Sequence, residues 1–347
     1  AMLILFGAFP NQFEAAWARH VCADFAQEIS LLWHQHQKVA AATVIPEKTA
    51  VAWRQRLFAG GLVMHYQPIV DLRTGKPAKV EALARLVLED GQVIAPGQFL
   101  PLLGMRDLDA VFRLGLAEAL DQTARWEAEG LSLGVTVNLA PSTLVQPDCV
   151  LWVRAALERA RIAPERLSLE ITEDQGLAGA AAAAMAALTG LGVNVVMDDL
   201  GAGYGSLQRL RRLPFRTAKL DQSLVEDIRG APDRLLSFMG ALVQLGHDLE
   251  VEIVVEGLET DDLVEAAAIL GADAGQGFAL GRPMPAEAIA GWARAFVWSV
   301  DRGAPRTTLG ALAAVWYAAH RALHRQVASE ARLGPRGDPQ SEDGVQV

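Results

Sequence analysis

The chain holds 347 residues, of which 51% are hydrophobic and 21% charged, with a formal net charge of −10. That balance excludes a disordered polymer and argues against a protein that coats nucleic acid or an anionic membrane, while an anionic ligand stays open because bound metal and a few placed cations reverse the potential locally. Two cysteines, Cys22 and Cys149, are too few for a disulfide framework or a zinc–thiolate site and point to a reducing compartment.

Residues 1–48 read as a piece of their own: a strand over 2–7, a turn at Pro10-Asn11, and a helix from Phe13 to about Trp33 with the stripe Phe13, Trp17, Val21, Phe25, Ile29, Leu32. One strand and one helix cannot make a core, so this is expected to be the end of an upstream domain, with 40–48 as linker. A packing or dimerisation helix is the competing reading. No basic segment opens the chain, so no signal peptide is expected.

From residue 50 to about 300 short β-branched runs alternate with longer alanine- and leucine-rich stretches. Strands are predicted at 62–66, 80–86, 133–139, 167–171, 193–197, 218–220, 252–255 and 275–278. Eight strands with helices between them over roughly 250 residues predict an α/β fold, a (β/α)8 TIM-like barrel with flanking N- and C-terminal helices. A doubly wound sheet is the runner-up, but no glycine-rich phosphate fingerprint follows the first strand. The uncharged stretch 176–197 has the length of a membrane span, yet Gly192 divides it into an alanine-rich helix and a strand. Past the barrel, in residues 301–347, Thr307 or Thr308 is expected to cap a helix carrying Leu309, Leu312, Trp316, Ala319 and Leu323 on one side. Residues 332–347 are expected to be disordered.

The most informative strand ends on Asp198-Asp199 and then meets Gly201, Gly203 and Gly205 within five residues. Adjacent carboxylates reach one site only where a strand stops being regular. They repel unless a cation lies between them, and a divalent metal is the usual answer, with a solvated Asp-Asp turn as the plain alternative. Other polar residues fall at or near strand ends: Asn138, Glu170, Lys219, Asp221, Glu256 and Gln276, with Glu81 from the second strand. In a parallel barrel such ends converge on one face. Lys219 and Asp221 are two apart, and Glu81, Leu83 and Arg85 share one side of their strand.

Gln67-Pro68-Ile69-Val70-Asp71 and Glu81-Ala82-Leu83-Ala84-Arg85 resemble the opening of the EAL domain family, which comprises cyclic di-GMP phosphodiesterases and inactive receptor relatives. Asn138-Leu139-Ala140, Glu170-Ile171-Thr172-Glu173, Asp198-Asp199-Leu200-Gly201-Ala202-Gly203-Tyr204, Lys219-Leu220-Asp221, Val255-Glu256-Gly257-Leu258-Glu259-Thr260 and Gln276-Gly277-Phe278 follow in the family's order. Residues 1–37 resemble the C-terminal end of a GAF-type sensory domain. The resemblance implies metal-dependent hydrolysis of cyclic di-GMP to linear pGpG in a bacterial cytoplasm, a homodimer, and a sensory domain upstream.

By the same resemblance, Glu81, Asn138, Glu170 and Asp198 would hold one metal, and Asp198, Asp199 and Glu256 a second, with Asp221 in or behind that shell. Oxygen-only ligands suit Mg²⁺ or Mn²⁺ rather than zinc. Lys219 would touch the attacking water or a phosphoryl oxygen, and Glu256 would serve as ligand or proton acceptor. Arg85 reads as a phosphate clamp, and Gln67, Leu83 and Gln276 as contacts to guanine or sugar-phosphate. Glu173 and Glu259 would steady the loop after Asp199. That loop departs from the family pattern at Leu200, Ala202 and Gly205, and residues 101–109 depart in a way expected to change surface rather than chemistry. Two other functions stay open: a non-catalytic cyclic di-GMP receptor, and a different metal-dependent barrel lyase or isomerase with a lysine base.

Overall fold

The computed structural model describes residues 45–171, 179–200, 209–210, 212–226, 231–299 and 304–332. The chain divides into two compact units, Ala1–Ala52 and Trp53–Val347. The helix and strand expected before residue 45, the disordered tail expected after residue 332, Glu173, and the loop positions Ala202 and Gly205 lie outside the described residues.

Helix α1 (Glu47–Arg56) ends in a short irregular turn, Leu57–Gly61, and β1 (Leu62–Asp71) follows. β1 and β2 (Lys76–Val87) form an antiparallel hairpin. Its turn uses Gly75 at φ +70°, where a Cβ would also collide with the Trp298 carbonyl oxygen. Helix α2 (Met105–Ala128), β3 (Gly134–Asn138), α3 (Cys149–Ala160), β4 (Leu167–Ile171), α4 (Gly179–Gly190), β5 (Asn194–Leu200) and β6 (Thr217–Leu220) come next. Helix α5 (Pro232–Asp248), β7 (Glu252–Val255), α6 (Asp261–Leu270), β8 (Ala274–Gly275), α7 (Ala286–Ala295) and α8 (Thr308–Arg332) complete the sequence.

Strands β2 to β8 pair in parallel, and β1 closes the ring by pairing with β2 on one side and β8 on the other. The result is the closed eight-stranded TIM-like barrel that the strand rhythm predicts. One expectation is corrected: the barrel is not wholly parallel. The connection from Asp71 to Lys76 is too short for a crossover helix, so β1 runs antiparallel to both neighbours. This sets Gln67 directly opposite Glu81. The stretch 176–197 contains a helix, a turn through Gly192 at φ +95°, and a strand. Among the described residues no helix is long and apolar enough to cross a membrane. The last predicted strand shrinks to two residues, leaving Phe278 exposed in the turn beyond it.

The main hydrophobic core lies between the outer barrel wall and the helices, with Tyr66, Trp126, Leu133, Leu169 and Val255 buried in it. Inside the barrel the lower layers are more polar than the Val/Ile/Leu filling usual for this fold. Ile69, Val196 and Val254 share that space with Lys79, Thr136, Ser168 and Thr217 around a cavity of about 140 Å³, with Glu170 and Lys219 also in its lining.

Helix α8 packs on α6 and α5. Its start is fixed by Glu265 of α6, only 2% exposed, which accepts the Arg306 and Thr307 backbone N–H groups at 2.8 Å each and the Thr307 hydroxyl at 2.6 Å. Thr307 Oγ1 accepts in turn from the Gly310 N–H at 2.9 Å, which makes Thr307 the N-cap. Gly240 of α5 admits the Trp316 ring so closely that a Cβ there would lie 2.2 Å from it. The buried face is turned from the expected stripe: Leu309 and Ala313 are buried, while Leu312 stays 39% exposed, because α5 and α6 receive α8 together.

Glu265→Ala would leave two backbone donors without their buried acceptor. It is expected to lower the unfolding free energy by about 1–3 kcal/mol in urea titrations, with Glu265→Gln losing less. An unchanged midpoint for Glu265→Ala would show that α8 is not held by this carboxylate.

Candidate active site

At the C-terminal end of the barrel, Lys219 on β6 is the hub. Its Nζ lies 2.6 Å from Glu256 Oε1, 2.9 Å from Glu170 Oε1 and 3.2 Å from Glu81 Oε2. The strands explain the convergence. Glu170 follows Ser168 on one side of β4, and Lys219 follows Thr217 on one side of β6, so each projects inward one layer above those hydroxyl residues. Glu81 of β2 belongs to the same layer. Lys219, Glu81 and Glu170 are buried, whereas the Glu256 side chain, just past β7, keeps 20% exposure.

Both oxygens of Glu81 are held. Asn138 Nδ2 donates to Oε1 at 2.8 Å, and Gln276 Nε2 donates to Oε2 at 2.7 Å. Gln276 Nε2 also reaches Gln67 Oε1 at 3.1 Å, and Gln67 Nε2 donates to the Gly281 carbonyl at 3.2 Å. Gln67 and Gln276 therefore support Glu81 and each other. The buried Gln276 Oε1 accepts no hydrogen bond and stays available as an acceptor.

The two aspartates sit at a break in β5. The β5–β6 register shifts between Met197 and Leu200, Asp199 takes φ +56°, and its N–H donates to Asp198 Oδ1 at 3.0 Å. This irregularity brings Asp198 within the electrostatic reach of Lys219, Glu81 and Glu170, and Asp199 against Asp221. Asp221 Oδ1 accepts from the Ser223 N–H at 2.9 Å. Arg85 is half-buried at the far end of β2 and donates to the Ala84 carbonyl. Glu259 is exposed.

One ammonium does not neutralise this many carboxylates. Burial, then repulsion from Glu81, pushes Glu170 well above the carboxylate range despite Lys219. Burial raises Asp198 and Glu256 against the same pull, and raises Asp199 to about 7 with added repulsion from Asp198 and Asp221. Glu81 is the exception: burial presses it upward, but Lys219, Gln276 and Asn138 together hold it below the usual range. Burial also disfavours the Lys219 ammonium, and Glu170, Glu81, Glu256 and Asp198 outweigh it, so its pKa lies well above a free lysine.

The donor set fits a hard cation. Ligand oxygens of Glu81, Glu170 and Glu256 lie within 4.8 Å of one another, and the buried Glu170 Oε2 receives no hydrogen bond. Beside these acids lies a cavity of about 390 Å³ whose other wall is apolar. Its lining includes Met64, Leu83, Leu100, Leu108, Val111 and Phe112. Sequence reading passed over this wall except for Leu83, although the helical spacing of Leu108, Val111, Phe112 and Gly115 marks one face of α2. Residues 101–109, expected to alter only the surface, in fact put Leu108 in the cavity and Leu103 against a buried cluster.

The EAL domain model matches residues 50–283 of this sequence. The chain belongs to the EAL domain family. Among relatives, this EAL chain is 38% identical over 240 residues to the bifunctional diguanylate cyclase/cyclic di-GMP phosphodiesterase MucR of Pseudomonas aeruginosa, covering 67% of this chain and 35% of that protein. It is 32% identical over 261 residues to the cyclic di-GMP phosphodiesterase NbdA of the same species, covering 70% and 31%. The chain thus spans about a third of the length of these two relatives. A solved structure described as the PaMucR phosphodiesterase in complex with c-di-GMP matches with a TM-score of 0.64 at 38% identity, covering 68% of this chain and 97% of that one. An EAL domain protein from Listeria monocytogenes matches with a TM-score of 0.63 at 28% identity, covering 72% and 98%.

Without a cation, carboxyls with raised pKa destabilise the fold as they ionise. Their contribution is most favourable below the unfolded values near 4 and is lost as pH rises through about 7 for Asp199. Millimolar Mg²⁺ is therefore expected to raise the melting temperature by ~2–6 °C at about pH 8 and by much less at about pH 5.5. Equal shifts at both pH values, read by scanning calorimetry, would contradict this account of the acids.

Proposed function

We propose that this EAL domain hydrolyses cyclic di-GMP to linear pGpG, using Mg²⁺ or Mn²⁺ held by its carboxylates. The observation that carries this reading is the all-oxygen cluster of Glu81, Glu170 and Glu256 around Lys219, beside a cavity large enough for part of a dinucleotide. The names of MucR and NbdA, and the ligand of the PaMucR structure, supply the substrate class.

In this reading Glu81, Asn138, Glu170 and Asp198 hold one cation, and Asp198, Asp199 and Glu256 hold a second, with Asp221 behind them. Bound divalent ions supply a hydroxide nucleophile near neutral pH and neutralise charge on the phosphoryl oxygens. The chain's own groups do the rest. Glu256, the most exposed of the three glutamates and raised by burial, accepts the proton of the attacking water. Lys219 keeps its charge, fixes Glu256 by their 2.6 Å contact, and favours the charge that develops on the phosphoryl group. Asn138 and Gln276 keep Glu81 ionised and oriented. Arg85 would clamp a phosphate of the ligand, and Leu83, which lines the cavity, would present an apolar contact to the nucleotide.

Product analysis tests this directly. Wild-type protein with Mg²⁺ or Mn²⁺ is expected to release linear dinucleotide, whereas Glu81→Ala protein and chelator-treated wild type release none. Lys219→Met is expected to lower kcat by ~10²–10⁴-fold while the fold persists. Tight binding of intact cyclic di-GMP with no turnover under any metal would instead make the chain a receptor.

A further inference from the structure

A second hydrophobic cluster, separate from the main core, joins the end of α1 to the wall of the active-site cavity. Leu57, Leu86, Ile94, Phe99 and Val111 are buried in it, with Trp53, Ala84, Leu100 and Leu103 packed around them. Three of these side chains, Ala84, Leu100 and Val111, also line the 390 Å³ cavity that reaches Glu81 and Glu170. Each thus meets α1-side packing on one face and the cavity on the other.

Two arginines fasten the same junction. Arg54 grips Asp107 with both ends of its guanidinium, Nε to Oδ2 at 2.6 Å and Nη2 to Oδ1 at 2.7 Å. Asp107 lies in the first turn of α2, where a carboxylate also suits the helix dipole, and the residues that follow it, Leu108, Val111 and Phe112, line the cavity. Arg56 Nε donates to the Val87 carbonyl at 2.9 Å, at the end of the strand that carries Leu83 and Arg85. Between α1 and β1 the backbone is not a regular helix: Ala59 leaves helical geometry and Gly60 sits at φ +93°. The side-chain contacts, rather than the backbone, therefore set how residues 53–57, at the end of α1, pack behind the cavity wall.

We propose that Arg54 and Asp107 are positioning residues for the nucleotide cavity. Their bidentate pair fixes the first turn of α2, and with it Leu108 and Val111, in the place that accepts the ligand, without either residue touching it. The inference rests on the cyclic di-GMP reading given above. It goes beyond that reading by assigning control of affinity to a contact outside the acid cluster.

The test is a double-mutant cycle of Arg54→Ala, Asp107→Ala and the pair together, with Arg159→Ala as a surface control that removes a single-contact pair to Asp121, farther along α2 and away from the cavity lining. Cyclic di-GMP affinity by calorimetry in chelator, KM, kcat and melting temperature are measured for each. Each single variant is expected to weaken binding and raise KM by ~3–10-fold with kcat within about two-fold, and the double variant to be no worse than either single. Arg159→Ala is expected to match wild type. Additive losses, a fall in kcat at unchanged KM, or equal binding by all variants would overturn the proposal. A wild type that neither binds nor hydrolyses cyclic di-GMP would overturn the functional reading and this inference with it. A wild type that binds, with variants indistinguishable from it, overturns this inference alone.

Discussion

A single buried ammonium surrounded by carboxylates sets the terms for the upper half of this barrel. Lys219 touches Glu81, Glu170 and Glu256, and a charge so deeply buried is tolerated only because those partners lie within 3.2 Å. The carboxylates in turn outnumber it. Asp198 and Asp199 add to the excess from the break in β5, which is why burial and mutual repulsion lift most of these acids while Glu81 alone is held low. The surplus of oxygen donors suits a hard cation, and the neutral amides of Asn138 and Gln276 let Glu81 keep its charge beside it.

The barrel serves this cluster through two irregularities. The antiparallel β1 places Gln67 across from Glu81, so a hydrogen-bonded chain runs from the Gly281 carbonyl through Gln67 and Gln276 to the acid. The register shift after Met197 breaks the pleat of β5 where Asp198 and Asp199 stand, and both aspartates feel the charge of Glu256 beside Lys219. Below them Thr136, Ser168, Thr217 and Lys79 make the barrel interior polar. Burial lowers the Lys79 pKa there, so its charge is held less firmly than that of Lys219, which has carboxylates against it.

Outside the acid cluster, helices decide the shape of the cavity. Helix α2 supplies much of its apolar wall, and the satellite cluster behind that wall packs it against Trp53 and Leu57. On the other side of the barrel, Glu265 and Gly240 seat α8 against α6 and α5. Polar contacts of long sequence separation thus fasten helices whose own apolar faces leave their orientation open.

Much of this was legible in the sequence. The alternation of β-branched runs with alanine- and leucine-rich stretches carried the barrel, because strand and helix periodicity are local properties. The strand-end acids and Lys219 were legible because parallel strands must present such residues on one face. What only the tertiary structure decided depends on distance between remote positions. These include the antiparallel first strand, the hydrogen bond from Gln276 to Glu81 with Gln67 behind it, the register shift at Asp198 and Asp199, and the turned face of α8. The stretch 101–109 was expected to change surface rather than chemistry because it carries no metal ligand, and the partners of its apolar residues are not visible in sequence. Their partners, Ala84 and Leu86 on β2 and Trp53 and Leu57 near α1, come together only when the chain folds. Sequence by itself determined which chemistry is present and on which kind of element. Folding determined which groups touch, because hydrogen bonds and burial act over a few ångströms between residues as far apart in sequence as Gln67 and Gly281.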